Sequence, residues 1–367
     1  MICHVRRRVT DTTMSTLNSA PVKKVSETGF IYYSSIKTTT GCPNGCPCPD
    51  FCQDVTTSST TTSTIGSTVT PSSQQSVLVL STYQNHTSLA PVLIDNNGLV
   101  TVARLNLTVE HRQAEIWESC SVTWHNRIFI YGGQNYRDQI VTLDNACGLE
   151  WIGQLKFDFN YGACAVDNND HIYLCFSEAP GEYHKCRRST GGPVGDFDRI
   201  RSANYDHAYT RIASSGTQLF ALGDGRHHAH GEFYLIESDA WIGTVQYPFG
   251  DSIYGAPMQH VNDHFIVFGG YVDKQYSTMI AMISTVTQMW TQIGHLNSAR
   301  VGHSAIMTNK NAYLIIGGKP GLLAIESCSY DGGEMICTDT GASLEFYCFY
   351  PEVHHVPDNY CTHGPLY

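Results

Sequence analysis

The stretch Tyr313-Leu314-Ile315-Ile316-Gly317-Gly318 decides how the rest of the chain is read. Four apolar residues run into a pair of glycines. The same device stands at Phe129-Ile130-Tyr131-Gly132-Gly133 and at Ile266-Val267-Phe268-Gly269-Gly270. Degenerate copies fill the intervals: Leu219-Phe220-Ala221-Leu222 runs into Gly223-Asp224-Gly225, Ile172-Tyr173-Leu174 into Cys175-Phe176, and Val77-Leu78-Val79-Leu80 into Ser81-Thr82. The marks recur about every forty-odd residues, the period of a four-stranded unit in repeat proteins. Trp151, Trp241 and Trp290 follow their glycine marks at similar distances and give a second signal in the same phase.

Each repeat reads as four short strands. In the last they are expected near Gly302–Met307, Ala312–Ile316, Leu322–Ser327 and Glu334–Cys337, separated by Asn, Gly, Pro and Asp punctuation. The double glycine ends an inner strand where the backbone needs positive φ and a close approach that a β-carbon blocks. The tryptophan is expected as the large apolar plug between neighbouring units. No apolar stripe with a period of about 3.6 separates the repeats, which argues against alternating β/α architecture.

The double glycines with downstream tryptophans, and Arg300-Val301-Gly302-His303-Ser304-Ala305 ahead of the last apolar run, resemble a kelch-type β-propeller over residues 76–350. The resemblance implies an all-β disc of six blades, with Gly132, Gly133, Gly269, Gly270, Gly317 and Gly318 as the kelch glycines. Two units lack the glycine pair, and Leu143 and Ile283 replace the tyrosine usual between glycines and tryptophan. The first unit has a middle strand at Val77–Leu80 but only polar linker ahead of it. The alternating stretch Ser343-Leu344-Glu345-Phe346-Tyr347-Cys348-Phe349 is therefore predicted to complete it and close the ring, leaving 351–367 as a tail.

At 367 residues and 42% hydrophobic the chain can bury a large core. Its net charge of −11 argues against nucleic acid or anionic membrane partners. No apolar run reaches the length needed to span a bilayer. Ahead of the repeats lie an N-terminal tail (1–40), a Cys-rich segment (41–53) and a Ser/Thr-rich linker (54–75) that reads as an O-glycosylated stalk, the alternative being an unmodified disordered linker. Fourteen cysteines favour an oxidising compartment. The expected bridges are two local ones among Cys42, Cys46, Cys48 and Cys52, with Cys175–Cys186 and Cys328–Cys337 across hairpins and Cys348–Cys361 pinning the tail. Cys120, Cys147 and Cys164 find no assigned partner, and Cys3 is the odd remainder. Asn85 and Asn106 head N-glycosylation sequons. Met1–Arg8 has the basic start of a signal peptide without an apolar stretch behind it. Either the chain is cytosolic or this start is not the true one; the cysteine arrangement favours the second reading, in a secreted protein.

The Cys42–Cys52 cluster has four thiols, enough for zinc, but its spacing is not that of paired zinc knuckles. Gly225-Arg226-His227-His228-Ala229-His230 places three imidazoles just past a glycine mark; His227, His228 and His230 are either metal ligands or a polar loop. There is no nucleophile elbow, phosphate loop or His-Glu-x-x-His motif, and Asp167, Asp170, Asp196 and Asp198 fall in expected turns. The leading reading is a non-enzymatic, secreted binding or structural protein without a cofactor. Its partner is an extracellular protein or glycan contacted by loops of one propeller face. Tyr136, Tyr183, Tyr205, Tyr247, Tyr254 and Tyr271 are expected in or beside those loops. The alternatives are a copper enzyme resembling galactose oxidase, and an intracellular kelch adaptor of a ubiquitin ligase.

Overall fold

The computed structural model divides the chain into two compact units, Met1–Ser67 and Thr68–Tyr367. In the first it describes Lys23–Lys24 paired antiparallel with Ile31–Tyr32. In the second it describes residues 75–80, 92–95, 101–104, 108–109 and 118–360, without 144–147, 225–227, 310–311, 322, 346 and 359. The Cys-rich segment, nearly all of the Ser/Thr-rich linker, Cys3, Cys147, Cys361, Asn85, Asn106 and His227 lie outside the described residues.

The second unit is all-β, with no helix among the described residues. Its strands pair antiparallel in chain order, four at a time. Cys120–Trp124, Arg127–Tyr131, Gln139–Leu143 and Gly148–Gln154 form one set. Ala163–Val166, Ile172–Cys175, Cys186–Ser189 and Phe197–Arg199 form the next. Ile212–Ser214, Gln218–Leu222, Gly231–Leu235 and Ala240–Gly243 follow. Met258–Val261, His264–Phe268, Met279–Ser284 and Trp290–His295 follow those. Ser304–Asn309, Ala312–Ile316, Ala324–Asp331 and Glu334–Ser343 complete the run. The first strands lie side by side, each next to that of the following set, which gives a propeller-like arrangement of small sheets.

The sheets do not resolve into six separate blades. Trp290–His295 pairs parallel with Glu334–Ser343, so the last two sets share one eight-stranded sheet. Gly294 permits this, because a β-carbon there would stand 2.3 Å from the Met335 carbonyl oxygen. Among the described residues, five smaller sheets make up the rest of the unit. One of them is a three-stranded ribbon of Ile253–Tyr254, Tyr271–Val272 and Gln275–Tyr276.

Among the described residues, no strand runs over the expected Ser343–Phe349. Ser343 ends the preceding strand, and Glu352–Pro357 supplies the pairing instead. It lies antiparallel along Gln75–Leu80, which continues to Val92–Asp95 and Thr101–Arg104. Part of the expected tail is thus built into a sheet.

The glycine pairs act as joints between neighbouring sheets. Gly132, Gly269 and Gly317 have φ of 67°, 56° and 72°, and a β-carbon on Gly132 would stand 1.9 Å from the Phe159 carbonyl oxygen. The second glycine of each pair, Gly133, Gly270 or Gly318, donates its N–H to the carbonyl of Phe159, Arg300 or Cys348, in the loop leading to the next first strand. Six apolar clusters lie between successive sets of strands. One packs Val77, Val79 and Ile94 against Ile306, Leu314 and Ile325, setting the first sheet against the last. The tryptophans plug these layers as expected: Trp241 is buried and Trp290 and Trp151 partly so. Indole N–H groups of Trp241 and Trp290 reach back to the Arg201 and Val245 carbonyls.

Buried side-chain pairs on a glutamate repeat as well. Arg300 and His207 stand at matching positions ahead of a first strand, and Glu326 and Glu232 at the head of the matching third strand. Arg300–Glu326 and His207–Glu232 are almost wholly enclosed. Each glutamate also accepts backbone N–H groups of the preceding linking loop, Asn297 and Ser298 for Glu326, Asn204 and Tyr205 for Glu232. Burial alone would raise the Glu232 pKa; His207, Asn204 and Tyr205 outweigh it and hold the carboxyl below its ordinary value.

Candidate binding face

Antiparallel strands reverse at every turn, so the loops entering first strands emerge on the same face as those joining second to third strands. Two or three residues before each first strand, the backbone enters the left-handed region. The residues there are Glu118, Tyr161, Tyr209, Gly255, Gly302 and Tyr350, with φ between 49° and 62°. Several are tied to one another around the mouth. Tyr161 donates its N–H to the Glu118 carbonyl, Gly255 to Tyr209, Gly302 to Gly255, and Tyr350 to Gly302. Only two of these positions hold glycine. A side chain in this conformation costs about 1–2 kcal/mol, so four positions carry strain that glycine would relieve.

Below this belt the first strands enclose a cavity of about 110 Å³ lined by Ser121, Cys164, Arg211, Gln259, Ser304 and Glu352, among others. Arg211 Nη1 meets Glu352 Oε1 at 2.5 Å. The guanidinium carbon lies 5.5 Å from the Tyr350 ring centroid, and Nη2 is buried without a hydrogen-bond partner among the described residues. Ser121 donates to Glu352 Oε2 from its hydroxyl (2.8 Å) and its N–H (3.2 Å). Ser121 Oγ also lies 2.7 Å from His354 Nε2, while Thr123 Oγ1 lies 2.9 Å from His354 Nδ1.

The Ser121–His354 distance resembles that of a nucleophile and its base, but the protons run the other way. A carboxylate only accepts, so the single hydroxyl proton of Ser121 goes to Glu352. His354 Nε2 must then carry hydrogen and donate to Ser121, and Nδ1 accepts from Thr123. Burial, then His355 and Arg211, pull the His354 pKa down to about 3, which keeps the ring neutral. His303 is fully enclosed beside the cavity and also held well below its usual pKa, by burial first and then by Arg300 and Arg211. The network positions Arg211 and leaves Ser121 without a proton acceptor at His354.

Aromatic residues continue across the same face. The Tyr161 and Tyr209 rings are 5.0 Å apart, and Tyr209 OH donates to Glu178. Phe349 and Tyr350 are 4.3 Å apart, with Lys319 Nζ 4.2 Å from the Phe349 ring centroid. The ribbon carries Tyr254, Tyr271 and Tyr276, with successive centroids at 5.1 and 5.4 Å. Burial raises the phenol pKa of Tyr161, Tyr350 and Tyr254, and takes that of Tyr347 to about 12, so these hydroxyls stay protonated. Of the tyrosines expected in loops, Tyr136 and Tyr205 are exposed, whereas Tyr247 is buried in the core. Sequence reasoning missed Tyr161, Tyr209 and Tyr350, together with the Arg211–Glu352 pair.

The expected histidine site divides. His230 stacks on Tyr205 at 4.0 Å, and His228 faces Asp224 with Nε2 to Oδ2 at 3.8 Å. Burial, then His207 and His230, bring the His228 pKa down to about 4. The two rings are 5.1 Å apart within an aromatic stack. Glu326, Cys328 and Cys337 also lie within ligating distance of one another, but the two sulfurs are bonded together and Glu326 serves Arg300.

Three disulfides occur among the described residues. Cys175–Cys186 and Cys328–Cys337 cross the hairpins expected for them. Cys120–Cys164 ties two neighbouring first strands at the cavity wall, giving partners to two cysteines that the sequence left unassigned. Cys348, expected to pair with Cys361, is a buried free thiol whose pKa burial pushes up to about 12.

Compared with known proteins, the chain matches no protein-family model and no curated protein. Its class therefore rests on the fold, an all-β protein whose small sheets are arranged like a propeller.

Proposed function

We propose that this chain is a secreted, kelch-type propeller that works by binding, through the face where the linking loops and the second-to-third-strand loops emerge. Its partner is an extracellular protein or glycan. The observation that carries the reading is the strained belt at the mouth: Glu118, Tyr161, Tyr209 and Tyr350 hold left-handed backbone that glycine would take without cost. Strain kept in side-chain-bearing residues around one opening is the mark of a site selected for what those side chains touch. The three disulfides fit an oxidising compartment. Glycosylation of the Ser/Thr-rich linker and of Asn85 and Asn106 belongs to the same reading, as does closure of the ring by Glu352–Pro357.

The test compares capture from an extracellular fraction by the wild type and two triple variants of the immobilised protein. One variant replaces Tyr136, Tyr205 and Tyr276 by Ser on this face. The other replaces Val194, Val286 and Met289 by Ser on the opposite turns. Loss of captured material with the first variant alone is the expected result. Equal capture by both variants and the wild type overturns the assignment of the face.

A further inference from the structure

We propose that the tyrosine-bearing ribbon and the mouth beside it form a site for a neutral, polyhydroxylated ligand, a glycan of hexose units. The inference rests on the binding reading above and names its chemical class. Tyr254, Tyr271 and Tyr276 stand together on the three-stranded ribbon, and their hydroxyls take no hydrogen bond from the described residues. Tyr276 is 41% exposed. The ribbon adjoins the mouth directly, since the N–H of Gly255 bonds the carbonyl of Tyr209.

Three features favour sugar over a peptide. First, the ribbon offers aromatic faces tipped with hydroxyls. The apolar C–H face of a hexose can lie on such rings while its equatorial hydroxyls meet the phenols. Second, the most exposed aliphatic side chains, Val286 and Met289, lie in the turn between Met279–Ser284 and Trp290–His295, on the opposite face. The ribbon itself presents no aliphatic anchor of the kind protein partners use. Third, several charged groups beside the site are already engaged within the protein. Arg211 is paired with Glu352, Lys319 sits over Phe349, and Asp273 holds the backbone N–H groups of Asp251 and Ser252. Groups held in this way are not free to select an acidic or basic ligand.

The experiment titrates the oxidised full chain with cellohexaose, laminarihexaose, maltohexaose and mannohexaose, following amide and tyrosine ring resonances by NMR. At least one of these neutral oligosaccharides is expected to shift ribbon resonances at millimolar concentration or below. Tyr276→Ala should weaken that binding by tenfold or more, whereas Tyr276→Phe, which keeps the ring, should weaken it by no more than about threefold. Tyr271→Ala should act like Tyr276→Ala, with unchanged melting temperatures confirming that both variants fold. If none of the four shifts the ribbon, or if the alanine variants bind as well as the wild type, the sugar assignment is wrong. Face-dependent capture would survive that outcome, so the two readings fail separately.

Discussion

Replacing Glu326 by Gln tests the logic of the repeated buried pairs. The Arg300 side chain is wholly enclosed and its guanidinium cannot shed its proton, so the variant leaves a buried charge facing a neutral amide. Arg300 Nη1 keeps the Gly317 carbonyl at 3.1 Å, which is a weak substitute for a carboxylate. Breaking a buried pair in this way costs about 3–5 kcal/mol. Glu232→Gln makes the same change where the partner is His207, also fully buried. That glutamate is held by hydrogen bonds to an imidazole and to backbone N–H groups and faces no guanidinium, so the cost falls to about 1–3 kcal/mol. Urea unfolding at pH 7.5 with disulfides intact reads the difference. At a slope of about 3 kcal/mol/M the Glu326 variant should lose roughly 1–1.7 M in midpoint and the Glu232 variant distinctly less. The double variant Arg300→Met/Glu326→Met should recover most of the loss, because an apolar pair leaves no charge behind. Equal midpoints for the two glutamine variants would refute the argument.

Removing disulfides should cost in order of the loop each closes. Cys120–Cys164 spans 44 residues and is worth about 4 kcal/mol in chain entropy, while Cys328–Cys337 spans 9 and is worth about 2.6 kcal/mol, as denaturant midpoints of the paired serine variants will show. Acid should destabilise the protein through its buried neutral histidines. Folded-state pKa values of about 4 for His228 and about 3 for His354 lie below the unfolded value of 6.5, so the unfolded chain takes up protons first. Their contribution is complete above pH 6.5 and drains away as pH falls towards 4 and then 3. His228→Asn should flatten the upper part of that curve, and a midpoint constant over this range would contradict the assignment. Truncation after Pro351 removes the strand along Gln75–Leu80 and should abolish the cooperative transition seen by circular dichroism; an unchanged melting curve would show that the pairing carries no stability.

The parts legible in the sequence were those where chemistry leaves no choice. Gly132, Gly269 and Gly317 announced themselves because the close approach of another backbone excludes any side chain. Cys175–Cys186 and Cys328–Cys337 followed from the hairpins that bring them opposite each other. The belt at the mouth was invisible because a tyrosine in left-handed backbone looks like any other tyrosine. Cys120–Cys164 joins different sheets, so no local pattern announces it. Ser343–Phe349 looks more like a strand in the sequence than Glu352–Pro357, whose polar residues break the apolar alternation. Glu352 and His354 are polar yet buried, satisfied by Arg211, Ser121 and Thr123 across the cavity.

The pairing of Gln75–Leu80 with Glu352–Pro357 also sets the order of events during translation. Val77, Leu78, Val79 and Leu80, all enclosed in the finished molecule, leave the ribosome before any of the five four-stranded sets. Their partner strand is synthesised only after all of those sets. Until then one edge of this apolar run, opposite the edge that Val92–Asp95 covers, stays unpaired on the nascent chain. Assembly of this unit therefore finishes after synthesis of the distant strand, and a chaperone that shields short apolar segments has a long interval in which to act.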